Sequence, residues 1–283
     1  MTVSPDQLTT LPCGSVVQHG PLNDRIYLMK TGSPVPSELP QALISQARES
    51  GYSKIFVKVP ESEAANFQAA GYLCEAVVPG LFNGKEDGVF MGLFLTEQRA
   101  ALPDAAELNG LVELSRAKAS DSLPPVDGFV FRKCGATDTE RMAEIYRQVF
   151  PVYPFPVHDP AYLRQTMREN IVYFGAETDG KLIALASAEM DPASASVEMT
   201  DFATLPKWRG KRLAEHLLAL MENAMKELGL KTAYTIARAI SPGMNITFAR
   251  SGYKFGGRLV NNTHISSGIE SMNVWFKPLH PDF

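Results

Sequence analysis

Apolar positions along the chain fall into two rhythms. Short runs of β-branched and aromatic residues predict strands, and apolar residues spaced three and four apart predict helices. In the first part, "DRIYLMK" (24–30) predicts a strand and "SELPQALISQARESG" (37–51) a helix with proline in its first turn. "KIFVKV" (54–59) predicts a strand and "ESEAANFQAAG" (61–71) a short helix. "YLCEAVVPGLF" (72–82) and "GVFMGLFL" (88–95) follow as a strand pair around the turn "NGKEDG". The rhythm then breaks at "AKASDSLPPVDG" (117–128), whose small residues and paired prolines predict a linker.

Beyond the linker, "FVFRKC" (129–134) predicts a strand and "DTERMAEIYRQVF" (138–150) an amphipathic helix. The proline- and aromatic-rich "PVYPFPVHDPAYL" predicts a loop into a helix ending near Asn170. "IVYFGAETDGKLIALASAEMD" (171–191) predicts a hairpin turning at Asp179-Gly180, because Asp-Gly suits a tight two-residue turn. The strand "SVEMTDFAT" (196–204) runs into "LPKWRGKR" and then a long helix. That helix carries Ala214, Leu217, Leu218, Met221, Met225 and Leu228 on one face and stops at Gly229. The two parts also echo each other. "KIFVKVPESEAANFQAAGYLCEAVVPG" and "TAYTIARAISPGMNITFARSGYKFGGR" are each strand, helix and strand, with Phe67, Gly71 and Tyr72 answering Phe248, Gly252 and Tyr253.

Length supports that division, since 283 residues exceed the usual single domain. The expected units are 1–125 and 126–283. With 45% hydrophobic and 20% charged residues the composition is globular, and a net charge of -4 lacks the broad positive field of a nucleic-acid binder. Cys13, Cys74 and Cys134 are scattered and odd in number, which argues against a disulfide framework and fits a reducing cytoplasm. Five histidines stand far apart, so no metal is expected. No apolar run approaches the roughly 18 residues of a membrane span, so no membrane partner is expected either. A homodimer stays open.

The turn is where chemistry enters. A helix N-terminus has unpaired N–H groups and a positive dipole end, so an anion can bind there, and Gly210 lets the backbone come close. From "RGK" alone, a solvated basic helix start is the favoured reading.

Strand, turn, helix, strand, helix ending in glycine-aromatic, strand resembles the second half of the GNAT superfamily of acyl-CoA-dependent N-acetyltransferases. The pyrophosphate loop of that superfamily reads (Q/R)xxGx(G/A). Here it reads Lys207-Trp208-Arg209-Gly210-Lys211-Arg212, keeping the glycine and departing at Lys207 and Arg212. "DRIYLMK", "GYSKIFVKVP", "DFATLPKWRGKRLA", "TAYTIARAISPGMNITFARSGY" and "NNTHISSGIESMNVWFKPL" further resemble the β-lysine N6-acetyltransferases, which make a compatible solute.

The resemblance implies a mixed α/β (α+β) protein: a GNAT domain over 126–283, with a truncated GNAT-like domain over 1–125 that braces or extends its sheet. It implies acetyl-CoA as co-substrate and a small diamino acid as acceptor. The cofactor would lie along Phe202, Ala203, Thr204, Lys207, Arg209, Gly210, Lys211, Arg212, Leu213 and Ala214, with Phe248 beside them. The Arg212 guanidinium is expected to meet a phosphate itself.

Acetyl transfer needs a neutral amine, hence a base. In the family the base commonly stands four residues before the position of Phe202, which here is Glu198. Strand alternation puts Glu198, Thr200 and Phe202 on one face and Met199 and Asp201 on the other, with Asp201 the alternative base. Many members protonate the leaving thiolate with a tyrosine where this chain has Phe248, which cannot donate. Tyr253 is a weaker candidate. Substrate contacts are expected among Arg238, Asn245, Asn261, Asn262, Glu270 and Asn273, with Tyr153, Phe155 and Tyr173 lining the pocket. Another small amine, a protein lysine, or a non-catalytic acyl-CoA sensor are the alternative readings.

Overall fold

The computed structural model describes residues 6–119, 122–265 and 268–280. Its first half runs β1 (Gln7–Thr10), β2 (Val16–Gly20), β3 (Arg25–Lys30), α1 (Leu39–Glu49), β4 (Lys54–Pro60), α2 (Glu61–Ala69), β5 (Leu73–Phe82) and β6 (Glu86–Phe94). The short α3 (Glu97–Ala100) and α4 (Ala105–Ala117) close it. The second half runs β7 (Val130–Lys133), α5 (Thr139–Val149), α6 (Pro160–Glu169), β8 (Ile171–Thr178), β9 (Lys181–Asp191), β10 (Ser196–Thr204), α7 (Leu213–Glu227) and β11 (Thr232–Arg238). It ends with α8 (Pro242–Arg250), β12 (Lys254–Ile265) and β13 (Gly268–Pro278).

The strands form one mixed sheet in the order β1-β2-β3-β4-β6-β5-β12-β13-β11-β10-β9-β8-β7. Without β7 the order is palindromic. The parallel pair β3–β4 answers the parallel pair β10–β11, and β5–β6 answers β12–β13. The halves join where Gly257 of β12 faces Ala76 of β5. Gly257 has φ +145°, and a Cβ there would lie 2.2 Å from the Glu75 carbonyl oxygen, so the seam requires glycine.

A bulge in β12 between Leu259 and Thr263 leaves three consecutive carbonyls turned away from β13. Each accepts from a cation of the first half. Lys54 Nζ donates to Val260 O at 2.6 Å, Arg99 Nε to Asn261 O at 2.7 Å, and Arg25 Nη1 to Asn262 O at 2.5 Å. Polar groups freed by the bulge are thereby satisfied from the other half of the chain.

One face of the sheet is covered by α1 and α2 over the first half and by α7 and α8 over the second. On α7, Leu217, Leu218, Met221 and Met225 are buried, as their spacing predicts; Leu213 is buried beside them and Ala214 is only half-buried. Leu228 is instead 61% exposed, because the helix has already reached its cap there. The other face bends round on itself. Tyr27, Phe56 and Phe90 from the first half meet Tyr234, Leu259 and Phe276 from the second, while α5 and α6 close the far end.

Candidate active site

The inner face of the bent sheet encloses a cavity of about 430 Å³, lined from both halves. β3 and β4 contribute Arg25, Tyr27 and Lys58. β9, β10 and β11 contribute Glu189, Glu198 and Tyr234, and Tyr153 and Phe155 come from the loop before α6. Alternation explains the supply: every second residue of each strand points inward.

Glu198 is set by the sheet. β10 and β11 pair in parallel over only three rungs, the last being Glu198 opposite Tyr234. Beyond that rung β10 stays on β9 and β11 stays on β13, so the β10 edge from Met199 to Thr204 faces no strand. The Glu198 carboxyl sits at the fork. Burial raises its pKa to about 8, reinforced by neighbouring Glu189 and opposed by Lys58 and a hydrogen bond with Tyr234. The same burial lowers Lys58 and raises Glu189. Lys58 Nζ donates to the Tyr234 hydroxyl at 3.0 Å.

Asp201 breaks the expected alternation. It takes φ +54° in a bulge between Thr200 and Ala203, which turns its side chain to the Glu198 face and sends Phe202 to the opposite one. Phe202 then packs edge-on against Phe248, with ring centres 5.5 Å apart, and Ala203 is fully buried. Both Asp201 oxygens are engaged. Ser187 Oγ donates to Oδ2 at 2.6 Å and the Tyr153 hydroxyl donates to Oδ1. Asp201 is thus a brace for the loop that carries Tyr153 and Phe155. Burial raises its pKa, and these hydrogen bonds oppose the rise. Phe248 is buried between Phe202 and Tyr253, and Tyr173 gives its hydroxyl to Thr166 at the cavity wall.

The turn before α7 keeps an open backbone. Gly210 has φ +80° with no atom within 4 Å of where a Cβ would stand, and no side chain caps α7, so the amides of Leu213 and Ala214 begin an uncapped helix. These features fit a diphosphate. Lys207 lies over the Trp208 ring at 5.5 Å, and Arg209 Nε donates to the Thr204 carbonyl at 3.2 Å. Lys211 is exposed. Arg212 departs from expectation. It occupies the left-handed region at φ +56°, where glycine, one of the two residues of the family pattern, carries no penalty. Its guanidinium turns along the helix to Glu215, with Nε–Oε1 at 2.9 Å and Nη2–Oε2 at 2.5 Å.

Of the six polar residues expected at the substrate, only Asn262 lines the cavity. Arg238 and Glu270 pair bidentately with each other, at 2.7 and 2.6 Å. Asn245 is a buried staple. It donates to the Arg238 and Ser241 carbonyls and accepts from Asn273 and Trp275. Asn261 holds the C-terminal end of α3 by donating to the Arg99 and Ala101 carbonyls. These side chains spend their polar groups on architecture. Sequence reasoning missed Arg25, Lys58, Glu189 and Tyr234. The available signal was a charge at the inward parity of an otherwise apolar strand, as with Arg25 beside Tyr27 and Lys58 beside Phe56.

The acetyltransferase (GNAT) family description matches residues 139–246. The chain is 39% identical over 264 residues to the β-lysine N(6)-acetyltransferase of Methanococcus maripaludis, covering 93% of this chain and 96% of that protein. It is 31% identical to the β-lysine N(6)-acetyltransferase of Methanosarcina mazei, covering 86% and 97%, and 33% identical to N-acetyltransferase YodP of Bacillus subtilis, covering 94% and 96%. Together with the fork at Glu198 and the uncapped α7 turn, these matches show that the chain belongs to the acetyltransferase (GNAT) family and is an acyl-CoA-dependent N-acetyltransferase.

Proposed function

We propose that the chain transfers the acetyl group of acetyl-CoA to the N6 amine of β-lysine (3,6-diaminohexanoate), yielding N6-acetyl-β-lysine and CoA. The observation that carries this reading is the Glu198 carboxyl at the fork of β10 and β11, where burial pushes its pKa up, inside a cavity sized for a small molecule rather than a protein surface. The names of two relatives supply the acceptor.

In this reading the diphosphate lies at the α7 N-terminus, against the amides of Leu213 and Ala214 and beside Gly210, with Lys207, Arg209 and Lys211 around it. The thioester lies along the unpaired β10 edge. An alkylammonium with a pKa of about 10.4 must lose a proton, and Glu198 accepts it. With its pKa near 8 the mismatch is about 2 units, against roughly 6 for an ordinary glutamate. The neutral nitrogen attacks the thioester carbon, and backbone N–H groups of Phe202 to Thr204 stabilise the oxyanion. The C–S bond then breaks. The departing thiolate, with a pKa of about 8.5, needs no acid from Phe248, and the second amine proton passes to the thiolate or to water. The units 1–125 and 126–283 are proposed as a GNAT-like pair, an assignment supported by the palindromic strand order.

The test mixes purified protein with acetyl-CoA and β-lysine, lysine, ornithine or polyamines and follows free thiol. Preferred turnover of β-lysine supports the proposal. Preferred turnover of a polyamine, or of no amine at all, rejects it.

A further inference from the structure

We propose that Arg25 anchors the carboxylate of the amine substrate, and that the side-chain carbonyls of Gln18 and Asn262 receive its second ammonium. The first half of the chain, which carries no glycine turn for a cofactor, would then be the half that selects the acceptor. This rests on the cavity being the acceptor site.

Three first-half cations support the β12 bulge, and two of them hold a carboxylate: Lys54 pairs with Glu75 at 2.8 Å and Arg99 with Asp24 at 3.2 Å. Arg25 pairs with none among the described residues. It is 4% exposed, and burial lowers its pKa to about 10, opposed by Tyr27, Asp6 and Glu75, none of which forms an ion pair with it. A buried cation without a counter-ion is costly unless an anion arrives. Nη1 is taken by Asn262 O and Thr263 Oγ1, whereas Nε has no partner. The guanidinium lies over the Tyr27 and Phe56 rings, at 5.3 and 5.8 Å.

Two acceptors beside it are also orphaned. Gln18 Oε1 and Asn262 Oδ1 are buried without a donor. Gln18 faces Tyr27 across the β2–β3 ladder, and the Asn262 backbone is the acceptor of Arg25 itself. Gln18, Arg25 and Asn262 line the same cavity as Glu198. One unsatisfied guanidinium edge with two unsatisfied carbonyls complements a carboxylate with a neighbouring ammonium. A strut for the bulge would need only the bonds of Nη1, which a lysine could also supply. The fork of an arginine and its free Nε are what the bulge leaves unexplained. An ω-amino acid satisfies both ends of the cavity, with its carboxylate at Arg25 and its terminal amine at Glu198. A polyamine brings no carboxylate, and a protein lysine brings an amide in its place.

The test compares 6-aminohexanoate with 6-aminohexanamide, which share length and reacting amine and differ in the carboxylate. For the wild-type chain kcat/KM should favour the acid by at least about 100-fold, the discrimination expected when a buried charged group loses its partner. Arg25→Met and Arg25→Lys should compress that ratio below about 10-fold, the lysine variant keeping the bulge strut, with calorimetric CoA affinity confirming the fold. Gln18→Leu should in turn erase a preference for β-lysine over 6-aminohexanoate. A wild-type ratio near one, or an unchanged ratio in a folded Arg25 variant, overturns the anchor. If no amine is acetylated at all, the acetyl-transfer reading fails separately. The same two analogues are then compared by calorimetry on CoA-loaded protein, where equal affinities overturn the anchor and a preference for the acid sustains it.

Discussion

Lys58 Nζ and the Tyr234 hydroxyl lie 3.0 Å apart, joining a strand of the first half to a strand of the second across the cavity. Tyr234 is the rung partner of Glu198, so the bond brings the ammonium into the field of that carboxyl. Glu189 and Asp201 press the Glu198 pKa upward, and Lys58 opposes them. Lys58→Met should therefore raise the pKa governing kcat/KM by roughly one unit, moving the ascending limb to higher pH, and Lys58→Arg should largely restore it. Rate profiles between pH 6 and 10 check this. An unmoved limb would remove Lys58 from the account.

The same carboxyl predicts a stability signature. The folded pKa of Glu198, near 8, lies above its ordinary value of 4.5. Below the ordinary value the group is protonated whether folded or not, and its contribution is fully present. As pH rises towards the folded pKa the unfolded chain ionises first, and the contribution is lost. Glu198→Gln should then melt higher than the wild type at pH 8.5, by an amount equivalent to at most a few kcal/mol, and close to it at pH 4.5. Paired thermal melts at the two pH values measure the difference, and a gap that does not widen with pH speaks against the raised pKa of Glu198.

Arg212 offers a third check. Its left-handed backbone costs on the order of 1 kcal/mol, which Arg212→Gly relieves while losing the bond to Glu215. Net stability should stay within about 1 kcal/mol, since the two effects oppose. Because the guanidinium is directed to Glu215, KM for acetyl-CoA should change by less than about threefold, a shift of under 1 kcal/mol. A tenfold rise would instead place the side chain on the phosphates.

Asn245 separates architecture from recognition. Its four hydrogen bonds tie α8 to β11 and β13 in the interior. Asn245→Ala should cost about 2–4 kcal/mol, because buried partners are left unsatisfied. KM for the amine in the remaining folded protein should be unchanged. Denaturant melts and steady-state kinetics give the two values.

Local chemistry made much of this legible from residues alone. The Asp179-Gly180 hairpin is present, with both residues at positive φ, and Leu217, Leu218, Met221 and Met225 of the α7 stripe are buried as their spacing requires. The echo between the halves reappears as a palindromic strand order. The helix α4 went unread, and its Val112 packs into the core of the second half. Asp201 and Phe202 exchanged faces because a bulge inserts a residue that strict alternation does not anticipate. Lys58 and Arg25 showed only an inward parity in sequence, because their sharing one cavity with Glu198 depends on how far the sheet bends. That bend is set by contacts between residues far apart in the chain, and no window of sequence contains it. The asparagines and Arg238 were nominated for their polarity, and polarity alone does not separate a ligand contact from a buried staple.

The most direct test of the central claim is thiol release from acetyl-CoA with β-lysine at pH 8.5, measured for the wild type and Glu198→Gln side by side. The account predicts wild-type turnover with the acetyl group on N6, and a fall in kcat of about 100-fold or more in the variant at unchanged CoA affinity. Equal rates for the two proteins would contradict it.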